Sequence, residues 1–181
     1  MNKFKMALIG ATCALISSQA AWGANIVNLN FSGEVTAGTC DITITEGETF
    51  TFAKVSVDNL PAGKASEIKN LTTKVKCATA NKPNLAVSGS TISGKNMIFR
   101  ATSSTSEGYG FMIRPRGTGV TAATFYNESD ALKHADNVSH STAVGTESTK
   151  EWTVGMVRSN TATTTTIGSV EGVVRLTATF K

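Results

Sequence analysis

Apolar and polar residues alternate with period two along most of the chain. Val27, Leu29 and Phe31 are interleaved with Asn28, Asn30 and Ser32, the pattern of a strand with one buried face. Ile42 and Ile44 alternate with Thr43 and Thr45, and Phe50 and Phe52 with Thr51 and Ala53. Leu71, Thr73, Val75 and Cys77 share one face of a further strand, and Leu85-Ala86-Val87 begins another. Tyr109, Phe111 and Ile113 alternate with Gly110, Met112 and Arg114 until Pro115 ends the run, and Trp152, Val154 and Met156 form one more face. Turn clusters punctuate these runs at 59–63 and 81–84, and a polar loop-like stretch fills 127–148. Helical signal is confined to Ser129–Ala135, two turns at most. Short strands separated by turns every eight to twelve residues or so predict an all-β sandwich rather than alternating strands and helices.

The last strand is predicted to run from Gly168 to the end of the sequence. Its even positions read Gly168, Val170, Gly172, Val174, Leu176, Ala178 and Phe180; its odd positions, through to Lys181, are mostly polar. A long apolar strand at a sheet edge invites pairing with another chain, so a strand from outside is expected to lie beside it. The alternating segment Val27–Phe31 is the complementary feature, a candidate for donation to a neighbouring molecule.

The first residues change the arithmetic. Lys3 and Lys5 precede an apolar run from Met6 to Ser17, and small residues follow. That is the form of a secretory signal peptide, residues 1–24, with cleavage expected after Ala24 or as early as Ala20. Its removal lowers Lys+Arg from 17 to 15 against 13 Asp+Glu, so the formal charge falls from +4 to +2. No basic cluster remains, which argues against nucleic acid as a partner. Of three cysteines, Cys13 leaves with the signal. Cys40 and Cys77 remain, and an even count after an export signal predicts a disulfide. A metal site is not expected, since His134 and His140 stand far from both cysteines in a polar loop. No nucleophile elbow, metalloprotease helix or phosphate-cradling loop is present, so neither a catalytic site nor a cofactor is expected. Residues 25–181 are left as one domain.

In this order the motifs resemble the chaperone–usher pilins of the type 1 fimbrial subunit family. The matching features are Phe31-Ser32-Gly33-Glu34-Val35 with Cys40 shortly after, and Leu71-Thr72-Thr73-Lys74-Val75-Lys76-Cys77. They continue with Gly108-Tyr109-Gly110-Phe111-Met112-Ile113, Trp152 to Val157, and a C-terminal strand opened by Gly168 with an aromatic residue in the penultimate place. That aromatic is Phe180, where the family usually has Tyr. The resemblance implies an incomplete immunoglobulin-like sandwich lacking its last strand, completed by donor-strand exchange. Gly168, Val170, Val174, Leu176, Ala178, Phe180 and Lys181 would line the acceptor-groove edge and meet a periplasmic chaperone, which would hold the carboxylate of Lys181. Val27, Leu29 and Phe31 would be the donor residues (residues 25–31). An outer-membrane usher would add subunits into a homo- or heteropolymer at the cell surface, contributing to adhesion. A sugar-binding tip subunit with a host glycan as partner is the alternative; a secreted enzyme or inhibitor on a complete sandwich is a third.

Overall fold

The computed structural model describes residues 26–28, 40–78, 83–140, 143 and 145–179. In chain order its strands are β1 (Ile26–Asn28), β2 (Cys40–Ile44), β3 (Thr49–Thr51), β4 (Ala65–Cys77), β5 (Asn84–Ser88), β6 (Thr91–Ile92), β7 (Lys95–Phe99), β8 (Tyr109–Pro115), β9 (Asn137–Ser139), β10 (Glu147–Arg158) and β11 (Arg175–Thr179). A 3-10 turn, Val57–Asn59, is the helical element among the described residues. Ser129–Ala135 forms turns rather than a helix.

One sheet runs β2-β4-β10-β8-β7-β6, a second β11-β5-β9, and β1 pairs with β3. The long strands β4 and β10 are antiparallel, with Leu71 opposite Trp152 and Thr73 opposite Lys150. The alternation read from the sequence decides which side chains face inward. Leu71, Val75, Phe111, Ile113, Trp152, Val154 and Met156 meet Leu85, Val87, Leu176 and Ala178 of the facing sheet in one buried cluster. Phe50 and Phe52 close it from the side; the Phe52 and Phe111 ring centroids lie 5.4 Å apart. Trp152 donates its indole N–H to Thr73 Oγ1 at 3.0 Å, which satisfies the polar tip of a buried aromatic. Cys40 and Cys77, paired across β2 and β4, form the expected disulfide.

The other face of the six-stranded sheet is also covered, which alternation does not reveal. Ala65, Met97, Ile98, Met112 and Val157 pack beneath Phe125 and Ala131 in a second buried cluster. The covering loop is latched by polar bonds at its rim. Lys95 Nζ meets Glu128 Oε1 at 2.6 Å, and Tyr126 donates to the same oxygen at 2.9 Å. Arg114 donates to the Phe125 carbonyl at 3.1 Å and to Asp130 at 3.0 Å. Lys95, through its hydrogen bond, holds the Glu128 carboxyl below the usual range, and burial pushes the Tyr126 hydroxyl up to about 12.

Close packing under this loop sets a prediction. A Cβ at Gly155 would lie 2.7 Å and 2.9 Å from two atoms of the Phe125 ring. Gly155→Ala should therefore displace the ring and cost about 1–3 kcal/mol, the usual range for overpacking. A urea midpoint equal to that of the wild type, measured in the same form of the protein, would contradict this packing.

Candidate functional site

β11 is the edge of its sheet. It pairs antiparallel with β5, with Leu176 opposite Val87 and Ala178 opposite Leu85, and among the described residues it has a hydrogen-bonded neighbour on that side only. Val170, Val174, Leu176 and Ala178 all point into the core, while Arg175 is exposed and Ser169, Glu171, Val173, Thr177 and Thr179 are half-buried. The even–odd division read from the sequence thus holds from 169 to 179.

The length of the regular strand differs from the expectation. Regular pairing covers Arg175–Thr179 rather than everything from Gly168 onward. The preceding segment is fixed by a polar loop instead of a ladder. Ala101 N–H donates to the Glu171 carbonyl at 2.7 Å, and the N–H groups of Thr105 and Ser106 both reach the Ser169 carbonyl at 3.1 Å. Ser104 Oγ donates to the Glu171 carbonyl and accepts from the Glu171 N–H. Arg100 holds this loop in turn, donating to the Ser104 and Ser106 carbonyls. Gly168 lets the segment approach this loop, and Gly172 lets it approach the core ring of Phe111. A Cβ on Gly172 would lie 2.6 Å from the Phe111 ring, and one on Gly168 would strike Thr105 Oγ1 and Ser106 N. Alternation reports which way a side chain faces; it does not report where the backbone finds its hydrogen bonds.

Two small hollows lie along this C-terminal run. One, of about 10 Å³, is lined by Val174 and Leu176 together with Leu71, Leu85, Val138 and Trp152. The other, of about 60 Å³, is lined by Val170 with Val55, Val57, Tyr109, Met156 and Ile167, and by the polar Ser106 and Thr166. Ile167 is 90% exposed at the mouth of the second hollow. The sequence reading missed this wall, although Val55 and Val57 carry the period-two signal that would have shown it. They fall one register out of step with Phe50 and Phe52.

The remaining expected residues are placed as follows. Gly168 is exposed at the start of the run. Val27 lies on β1, opposite Phe50 of β3, so this segment is paired with its own chain over three residues. Leu29, Phe31, Phe180 and Lys181 lie outside the described residues. Trp152 and Tyr109, aromatic residues that could stack on a sugar if exposed, are buried in the core at 8% and 5% exposure. The acidic residues near the two histidines are occupied separately: Glu128 with Lys95, Asp130 with Arg114, and Asp136 with the Lys133 N–H.

His140 is the most perturbed titratable group. It is buried, its Nδ1 lies 3.1 Å from Ser148 Oγ, and its Nε2 has no hydrogen-bond partner among the described residues. Burial, then the nearby Lys150 charge, pushes the imidazole down to about 4. The unfolded chain binds this proton below about 6.5 and the folded chain does not, so the stabilisation is full above that pH. It is lost as pH falls toward 4, by roughly 2–3 kcal/mol across the window. His140→Leu should flatten that part of a melting-temperature-against-pH curve. An unchanged slope between pH 6.5 and 4 would place the proton elsewhere.

A family model described as Fimbrial protein matches residues 29–181. Comparison with curated proteins finds no match.

Proposed function

The chain belongs to the fimbrial protein family, and from that premise we propose that it polymerises by accepting a β-strand from another subunit along the free edge of β11. It is a fimbrial subunit of the cell surface, assembling with other pilin subunits. The all-β, curled-sheet sandwich is consistent with the incomplete immunoglobulin-like fold of that family.

The observation that carries the reading is the edge of β11, which has no strand beside it among the described residues, above two small hollows along the same run. One opens at Val170 and the other at Val174 and Leu176, all on the inward face of the segment that ends in an unpaired edge. An added strand gains main-chain hydrogen bonds from the edge, and the alternation of its apolar side chains toward the core fixes its register. Heterologous pairing of this kind does not close and gives an open fibre.

In this proposal residues 1–24 direct export and residues 25–181 form the subunit. A periplasmic chaperone lends the strand first, and an outer-membrane usher exchanges it for the N-terminal segment of the next subunit. Val27, Leu29 and Phe31 supply the donated face. The short β1–β3 pairing must open for donation, which breaks three register pairs. Adhesion follows from display of the polymer at the surface.

The test uses the mature chain and a synthetic peptide of residues 25–35. Alone, the chain should aggregate or melt without cooperativity. With the peptide it should become a monomeric complex that melts cooperatively, and peptide variants with Asp at Val27 or Leu29 should fail to rescue it. A lone monomer that melts cooperatively and ignores the peptide would overturn the proposal.

A further inference from the structure

We propose that the cleft between the end of β5 and β11, walled by Ser88, Ser90, His134, Val173 and Arg175, binds an acidic saccharide through its carboxylate. The cleft is about 390 Å³ and is lined from the C-terminal run by Val173 and Arg175, which line neither core hollow. Its polar lining is rich in donors, and among the described residues neither Asp nor Glu lines it. Arg175, opposite Ser88 in the β11–β5 ladder, is exposed and makes no salt bridge with a described residue. A guanidinium presents paired N–H groups whose spacing matches a carboxylate.

His134 is oriented by the backbone. The Gly89 N–H donates to its Nδ1 at 3.3 Å, so the neutral ring carries its proton on Nε2 and offers a second donor. The loop that holds His134 is itself tied down, by the His134 N–H to the Asn96 carbonyl at 2.8 Å and the Ala135 N–H to the Val87 carbonyl at 2.9 Å. The Ser90 side chain is exposed, and Val173 supplies an apolar patch beside the charged group. Gly89 keeps the floor flat, since a Cβ there would strike the Val173 carbonyl oxygen. A charged fork, an oriented imidazole, hydroxyls and one apolar patch match a sugar acid: carboxylate, ring hydroxyls and C–H face. That volume is many times the ~10–15 Å³ that one water needs on the same measure, so an inorganic anion would leave most of the cleft wet.

The site does not depend on strand exchange, and its test uses the mature chain as purified, alone or with whatever protein accompanies it. N-acetylneuraminic acid, glucuronic acid, glucose and inorganic phosphate are titrated separately and followed by backbone amide NMR. At least one acidic sugar should shift the Gly89, His134 and Arg175 amides below ~10 mM, with glucose and phosphate much weaker. Arg175→Gln should weaken that binding at least about tenfold, the loss expected for a charge-assisted hydrogen bond. Lys133→Gln removes a neighbouring cation outside the cleft and should leave binding unchanged. Absence of binding by both acidic sugars, equal affinity for phosphate, or equal loss in the Arg175 and Lys133 variants would each overturn the assignment.

Discussion

A chain cut back to Thr177 should still be exported, yet be recovered from the periplasm without a chaperone bound. The deletion removes Ala178 and Thr179, two of the five register pairs between β11 and β5, together with the buried Ala178 side chain. The edge that an incoming strand must follow is shortened from its free end. Strand addition draws its affinity from main-chain hydrogen bonds formed in sequence, so the loss should be complete in a co-purification assay. A folding defect could produce the same result, and a second variant separates the two. Appending four glycines after Lys181 leaves β11 and its core contacts in place and moves only the terminal carboxylate. That variant should bind chaperone weakly while its disulfide forms normally. Undiminished co-purification of the truncated chain would remove β11 from the acceptor edge.

Reduction of the Cys40–Cys77 bond should lower stability by about 2–5 kcal/mol. That is a large part of the roughly 5–15 kcal/mol by which a domain is ordinarily stable. The two cysteines face each other in the first register pair of β2 and β4, and their separation of 37 residues corresponds to about 4 kcal/mol of loop-closure entropy. β2 is the outermost strand of its sheet, with β4 as its neighbour, and the half-buried Ile42 and Ile44 are its other hold on the core. Hydrogen exchange in Cys77→Ala should thus accelerate first in β2, while β8 and the central part of β10 stay protected. A melting temperature unmoved by reductant would show that the bridge contributes little.

The faces of the strands were legible because burial of one side imposes a period of two. Leu71, Val75 and Cys77, or Trp152, Val154 and Met156, could be assigned inward from sequence alone, and all are buried. Met112 was read as the outward partner of Phe111 and Ile113, yet it is fully buried. Its cover comes from Phe125, in a loop whose apolar residues Val120, Ala122 and Tyr126 follow no strand period, and no local pattern announces a contact between such distant segments. The same limit applies to the acceptor site. The apolar face of the C-terminal run was visible, whereas the hollow at Val170 needs Val55 and Val57, Tyr109, and Met156 from three other stretches of chain. The shortening of β11 was hidden as well, since a Ser/Thr loop can satisfy a backbone that still alternates.

The position of the covalent bridge has a mechanical consequence. In the proposed exchange the donated N-terminal extension, residues 25–31, precedes Cys40, the first residue of the edge strand β2. Tension arriving through that extension would otherwise peel β2 from β4 one pair at a time, beginning at this end. Because the bridge sits at the first pair, the load bypasses the fragile zipper and passes directly into β4. From there it spreads as shear along the long antiparallel ladder with β10, the geometry in which many hydrogen bonds must yield together.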